Sequence, residues 1–334
     1  EFDWGSDIDI YARAVHGSYQ TSGSQLLSED FPIASSNDWE SQPSIACNSD
    51  DHTCLVVYQS NGDIYASRVD IGSMPPSAST PFKLFENSNP EFDPEIAWGS
   101  NEDEFVVVWG WRKIISPTEN QDRIAYTTIW DTQQAGSQFK GGVYDLMGTT
   151  LNTAHYYPSI AYNPQSHTYL VVFDHYDLLG NRIKGQRLDK SLSGETVPLG
   201  TVFNVSIFSS DATVFSPKVA YNSNADKYLV TYTYKYEDSG KDTVITMGQP
   251  VKDRFGSTGS LMDGDEILIA VNEGVPTNQW DDDTAVAASL FNNRFMVAWE
   301  FFDTQHLNSR IHGKLLSPML NGFGNQVFLP LIVK

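Results

Sequence analysis

One pattern recurs five times along this chain. PSIACNSDDHTCLVVY begins at Pro43, PEIAWGSNEDEFVVVW at Pro94, PSIAYNPQSHTYLVVF at Pro158, PKVAYNSNADKYLVTY at Pro217 and TAVAASLFNNRFMVAW at Thr284. The starts lie 51, 64, 59 and 67 residues apart. Each copy reads as two short strands joined by a turn, because β-branched and aromatic residues flank a run of Asn, Asp and Ser. A third strand follows each pair: DIYASRV at Asp63, RIAYTTIW at Arg123, RIKGQRL at Arg182, TVITMGQPV at Thr243 and RIHGKLL at Arg310. A fourth, weaker strand closes the unit, as in TVFNVS at Thr201, EILIAV at Glu266 and QVFLPL at Gln326. Four consecutive antiparallel strands at a period of about 50 to 60 residues make the blade of a β-propeller. No segment sustains a 3.6-residue apolar period, which excludes a helical solenoid. An immunoglobulin-like array needs about seven strands per unit, and each repeat offers four.

The repeats divide the chain at 43–93, 94–157, 158–216, 217–283 and 284–334, behind an N-terminal half repeat over 1–42. In that half repeat DIDIYARAV from Asp7 matches the third strand and LLSEDFPIA from Leu26 the fourth. The expected fold is therefore all-β, a single β-propeller domain over residues 1–334, built of four-stranded antiparallel blades. Five complete repeats plus the half give five blades with a surplus strand pair; six blades, one of them incomplete, is the alternative. The leading strands could complete the last blade in place of the C-terminal strands 309–333. Whichever pair is left over exposes strand edges, so it must fold back on its own propeller or dock on another copy.

The string P-x-I-A-Y-N…Y-L-V-V-W/F…D-I-Y-x-x-R-V resembles the tandem repeats of large secreted β-propeller proteins of bacteria, over nearly the whole chain. The resemblance implies the fold and a secreted or cell-surface setting. Its motifs are structural and carry over no active site. The fifth copy departs furthest, with Thr284 in place of Pro and Ala288 in place of the aromatic.

Charge narrows the partners. The chain holds 42 acidic against 21 basic residues, a formal charge of -21. Such a field repels phosphate backbones and anionic lipid surfaces, which argues against nucleic acid and membrane partners. The longest apolar stretch runs from Val327 to Val333, far short of the roughly 18 residues a spanning helix needs. A start at Glu1 without a signal-like segment fits a mature form with any leader removed.

Cys47 and Cys54 fall where other copies place paired aromatics: Tyr162 and Tyr169, Tyr221 and Tyr228, Trp98 and Phe105. Those positions face each other across a hairpin. Replacing both members of one pair predicts a disulfide in an oxidising compartment, with two free buried thiols as the alternative.

Three groups of residues point toward function. The acidic clusters Asp3, Asp7 and Asp9, Asp50 and Asp51, and Asp281 to Asp283 offer oxygen ligands for Ca²⁺. None has the spacing of a known calcium loop, and Asn and Asp serve hairpin turns in their own right. No cofactor is expected. Aromatics beside polar groups gather in the loops of one propeller face: Trp39 and Glu40, Asp93, Trp111, Tyr156, His175, Trp280 and Asp281. Flat rings stack on sugar faces and carboxylates accept hydroxyl hydrogen bonds, so these residues are the candidate carbohydrate-binding set. Core packing between blades explains the same aromatics without a ligand. Finally, Asp93, Asp174, Asp211, Asp283 and Glu300 sit where glycosidase acids could converge. No H-E-x-x-H, G-x-S-x-G or glycine-rich phosphate loop accompanies them. The sequence thus favours a non-catalytic binding propeller. A self-assembling surface or filament protein using the surplus strands is the alternative, and a polysaccharide-degrading hydrolase or lyase the second.

Overall fold

The computed structural model describes residues 2–3, 8–15, 26–48, 50–85, 88–116, 119–134, 137–146, 153–190, 194–206, 212–238, 240–253, 261–276, 284–289, 293–303, 308–317 and 327–329. Those residues form strands, turns and loops, with no helix among them. Five antiparallel sheets of at least four strands follow one another along the chain, each a simple meander, and a three-stranded sheet precedes them. The fold is a β-propeller of five blades.

The chain separates into two compact units, residues 1–148 and 149–334. The first unit holds the leading sheet and two blades. Its first blade runs through Glu40–Asn48, Thr53–Ser60 and Asp63–Asp70, and ends on two short strands, Ser77–Ala78 and Phe82–Lys83. Its second runs through Glu91–Gly99, Glu104–Ser116, Glu119–Gln134 and Ser137–Asp145. The second unit holds three blades, whose first strands are Ala154–Asn163, Thr213–Asn222 and Thr284–Ser289. Within each unit the first strands of successive blades pack side by side.

Burial explains which strands the sequence displayed most clearly. The second strands of the first four blades are covered on both faces, and Leu55, Val57, Val107, Val171 and Val230 are fully buried, as is Val297 in the fifth. Such strands read as continuous apolar runs. The outermost strand of the third blade, Thr196–Asn204, is mostly exposed, which is why fourth strands left only a faint trace. The hairpin between first and second strands closes on one left-handed residue in each blade: His52, Asp103, His167, Asp226 and Asn293. Asn48, Asn163 and Asn222 open three of these turns, each accepting a hydrogen bond from the amide two residues on.

Cys47 and Cys54 pair in register and are joined by a disulfide. Equivalent pairs elsewhere are ring against ring: Tyr162 with Tyr169 at 4.7 Å, Tyr221 with Tyr228 at 4.8 Å, Trp98 with Phe105 at 4.7 Å.

The ends resolve the surplus pair. Val327–Leu329 pairs with Asn308–Leu316, so the fifth blade takes its fourth strand from its own repeat, as the shorter connection favours. Ile8–Ala12 and Phe31–Ala34 do not complete that blade; they pair with each other, and Phe2–Asp3 adds a third strand. This sheet folds back on the first blade, burying Ile10, Ile33 and Ala34 against Cys54, Val56, Tyr58 and Val69.

A second device ties blade to blade. The Arg68 guanidinium of the first blade donates to the main-chain oxygens of Trp130 and Asp131 and to Gln138 in the second. Asn48 Nδ2 donates to Asp131 Oδ2 at 2.9 Å. In the second unit Arg187 meets Asp253 at 3.2 Å, and Thr168 Oγ1 donates to the same carboxylate at 2.7 Å. Burial pushes the Asp131 carboxyl up to about 6, and the nearby acids Asp51 and Asp103 reinforce the shift. A carboxyl raised in the folded state holds its proton there more tightly than in the unfolded chain. Its stabilisation is complete below pH ~4 and is lost as pH rises toward 6. Asp131→Asn should therefore remove that loss and stabilise the protein at pH ~7 by on the order of 2 kcal/mol relative to wild type. Urea titrations of both proteins at pH ~4 and ~7 check this; an unchanged difference between the two pH values would refute it.

Candidate functional site

The first strands share a local distortion that shapes one end of four of the five blades. Gln42, Asp93, Tyr157 and Ser216, each immediately before a proline, adopt left-handed φ of 53°, 51°, 48° and 53°. Register slips beside each of them, between Ser41 and Ser44 for example, and between Tyr156 and Ser159. A bulge of this kind re-aims the side chains next to it. The residues three places before the prolines are Glu40, Glu91, His155 and Val214, and all four are at least 98% buried.

Glu91 and Glu40 occupy the same repeat position with different outcomes. Glu91 Oε2 accepts the Ile64 amide of the preceding blade at 3.0 Å. Glu40 receives a hydroxyl bond from Ser36 on Oε1 at 2.5 Å, while its Oε2 is buried without a hydrogen-bond partner. Burial raises the Glu40 pKa above the ordinary carboxylate value, against the Ser36 hydrogen bond, and the charges of Asp9 and Asp38 add to the rise.

Glu40 lines a pocket of about 600 Å³ between the leading sheet and the first blade, within the range of organic-ligand sites. Pro32, Ile33, Ala34, Ala78 and Pro81 supply apolar wall; Ser35, Ser36, Asp38, Ser60 and Ser79 supply polar groups. Tyr58 and Tyr65 complete it, a cross-strand stacked pair with ring centres 6.2 Å apart. Burial pushes the Tyr58 hydroxyl up to about 12, so it stays a neutral donor. Trp39, between two lining residues in sequence, is 63% exposed.

The other proposed site residues do not line this pocket. Asp93 is held by Gln42, which donates to its carboxylate and accepts its amide at 3.1 Å. Trp111 packs edge-on against Phe85 at 6.4 Å, the core-packing alternative. Tyr156 and His175 belong to the second unit. There His155 and His175, both buried, face each other through Nδ1 atoms 3.3 Å apart. Asp177 accepts from His175 Nε2 at 3.0 Å and from Arg182 at 2.8 Å. This hydrogen bond leaves the lone pair of neutral His175 on Nδ1, and His155 Nδ1–H donates to it. Burial and the charges of Lys184 and Arg182 lower the His175 pKa, against the pull of Asp177. Trp280 and Asp281 lie outside the described residues, as do Asp211 and Asp283. Among the described residues no three His, Cys, Asp or Glu side chains group to hold a metal ion.

Asp38, Tyr58 and Tyr65 line the pocket, and sequence reasoning does not single them out. Tyr58 ends an apolar run that reads only as core. Residues 1–42 did carry a signal, in eight acidic side chains against the single basic Arg13.

No family model matches the chain, and no curated protein does. Among solved structures, an exo-1,5-alpha-L-arabinanase from a bovine ruminal metagenomic library is similar at 12% identity, covering 87% of this chain and 97% of that one, with a TM-score of 0.46. Cellvibrio cellulosa alpha-L-arabinanase complexed with arabinohexaose is similar at 12% identity, 86% and 94% coverage and a TM-score of 0.48. The Dos1 propeller is similar at 13% identity, 90% and 61% coverage and a TM-score of 0.47.

Proposed function

We propose that this chain is an extracellular β-propeller that binds carbohydrate without transforming it, in the pocket between its leading sheet and first blade. The observation that carries this reading is Glu40: a buried carboxyl with an unpartnered oxygen, lining a pocket large enough for a sugar. A buried acceptor without a donor costs about 1–3 kcal/mol, and a sugar hydroxyl supplies the missing hydrogen bond. The Tyr58 and Tyr65 rings and the exposed Trp39 give flat apolar faces for the ring of the sugar. The Cys47–Cys54 disulfide supports the extracellular setting.

A glycan array with the full chain, followed by calorimetry on the best binder, tests this. Trp39→Ala should weaken that binding roughly tenfold, by losing a stacking contact of about 1.4 kcal/mol. Its stability should change by no more than about 0.5 kcal/mol, because an exposed ring leaves no cavity. A large fall in melting temperature would make Trp39 a packing residue, and an array without binders would overturn the reading.

A catalytic reading draws on one observation, the raised pKa of Glu40 beside Asp9 and Asp38. A carboxyl whose pKa is raised by burial near other carboxyls is the kind of group that serves as the acid in glycoside hydrolysis. Reducing-sugar release from a polysaccharide panel, abolished by Glu40→Gln, would establish it in place of binding.

A further inference from the structure

We infer that the first blade keeps a docking face, centred on Ile45, for a β-hairpin of this chain's own repeat type carried by another chain. That hairpin is the first and second strands of a further blade. The inference is independent of the carbohydrate reading.

One repeat position behaves differently in the first blade. Ile45, Ile96 and Val219 each stand two places after the proline that opens their copy. Ile96 is 6% exposed and Val219 7%, but Ile45 is 56% exposed. Pro43 and Cys47 on either side of it are exposed as well. The preceding blade accounts for the difference. Ile96 shares a buried cluster with Leu55 and Val57 from the second strand before it, Ile64 and Ala66 from the third, and Leu84. Val219 likewise clusters with Leu170 and Val172 of the second strand before it.

The leading sheet supplies only the outer half of such a neighbour. Ile10 and Ala12 align with Ile64 and Ala66 through the D-I-Y-A at Asp9 and Asp63. Ala12 opposes Phe31 as Ala66 opposes Phe82, so Ile33 takes the place of Leu84. Ile10 and Ile33 duly cluster with Val56 and Tyr58 of the first blade. Nothing in this sheet corresponds to Leu55 and Val57. Asp63–Asp70 pairs along its whole length with Thr53–Ser60, whereas Ile8–Ala12 meets only Phe2–Asp3, at Ile8 and Asp9. No described strand runs beside Ile10 and Ala12 on that side.

The occupant follows from what is absent. A complete blade cannot enter, because its third and fourth strands would fall on the leading sheet. A single strand is too little, since Glu91–Gly99 packs on both the first and the second strand of the blade before it. Two strands fit: the second adds to the edge of Ile8–Ala12 by main-chain hydrogen bonds and sets its apolar side chains on Ile45. Each such hairpin of this chain is already held in its own blade, so the donor is another chain. Exposed apolar side chains beside an open strand edge are what such a partner would cover.

A synthetic peptide of residues 43–60 is the probe, closed as a hairpin by its own Cys47–Cys54 disulfide and carrying Leu55 and Val57. Fluorescence anisotropy of the labelled peptide with the full chain reads the binding, which should saturate. Ile45→Asp in the full chain should weaken it by about tenfold or more, by setting a carboxylate against an apolar face. Its melting temperature should stay within a few degrees of wild type, because an exposed side chain leaves no cavity. A peptide with Leu55→Asp and Val57→Asp should not bind. Failure to saturate, binding that Ile45→Asp leaves intact, or equal binding of the doubly substituted peptide would overturn the inference. So would a large fall in melting temperature for Ile45→Asp without peptide binding, which would show that the chain covers this face itself. A dimer seen by sedimentation and lost in Ile45→Asp would give the face to a second copy, and overturn the hairpin as its occupant.

Discussion

A chain lacking residues 1–36 is expected to lose its first blade. The leading sheet buries Ile10 and Ile33 to 2% and 4% exposure against Val56, Tyr58 and Val69. Each such side chain contributes roughly 1.5–3 kcal/mol when fully buried. Removing two, and uncovering three more, forfeits on the order of 5–10 kcal/mol, comparable with the whole stability of a domain. The truncated protein should aggregate or melt without cooperativity, and sugar binding should vanish because Pro32, Ile33 and Ala34 form one pocket wall. Circular dichroism and gel filtration read the outcome. A truncated chain that melts cooperatively within a few degrees of wild type would show that the leading sheet is an accessory. If it also lost an oligomer, the sheet would be an assembly arm instead.

Trp109→Ala is expected to cost about 3–5 kcal/mol. Its ring is wholly buried on the second strand of the second blade, among Leu55, Val57, Ile96 and Ile129. Trp109→Phe should cost much less, for a reason beyond the smaller change in volume. The indole Nε1–H has no hydrogen-bond partner, so the smaller ring opens a void but removes an unsatisfied donor. Chemical denaturation of the two variants separates these contributions. A phenylalanine variant as unstable as the alanine one would mean that the indole nitrogen is satisfied in solution.

These aromatics show how far the sequence reaches. Trp39, Trp109 and Trp111 stand in the same kind of strand-end or strand context, yet one is exposed, one is core and one packs against Phe85. The strands, their order and the Cys47–Cys54 pairing were legible, because each depends on alternation and repeat position. Glu40, read as a candidate from its repeat position, does line the pocket. Asp9 was read only among acidic turns, because a buried acid on a strand and a solvated acid in a turn are the same letter. The pairing of His155 with His175 depends on a register that slips nearby, between Tyr156 and Ser159. The blade count depends on where the termini pair, and repeat arithmetic alone left the leading strands without a place.

The left-handed residue before each of four first-strand prolines has a wider consequence. It fixes the backbone two residues beyond the position held by Glu40, Glu91, His155 and Val214, so the scaffold tolerates an acid, a base or a hydrocarbon there. The same bulged frame thus recurs in four blades, with an acid at this position in two of them, a histidine in one and a hydrocarbon in one. Varying only residues 40, 91, 155 and 214 would measure how much chemistry the bulged frame accepts without loss of stability.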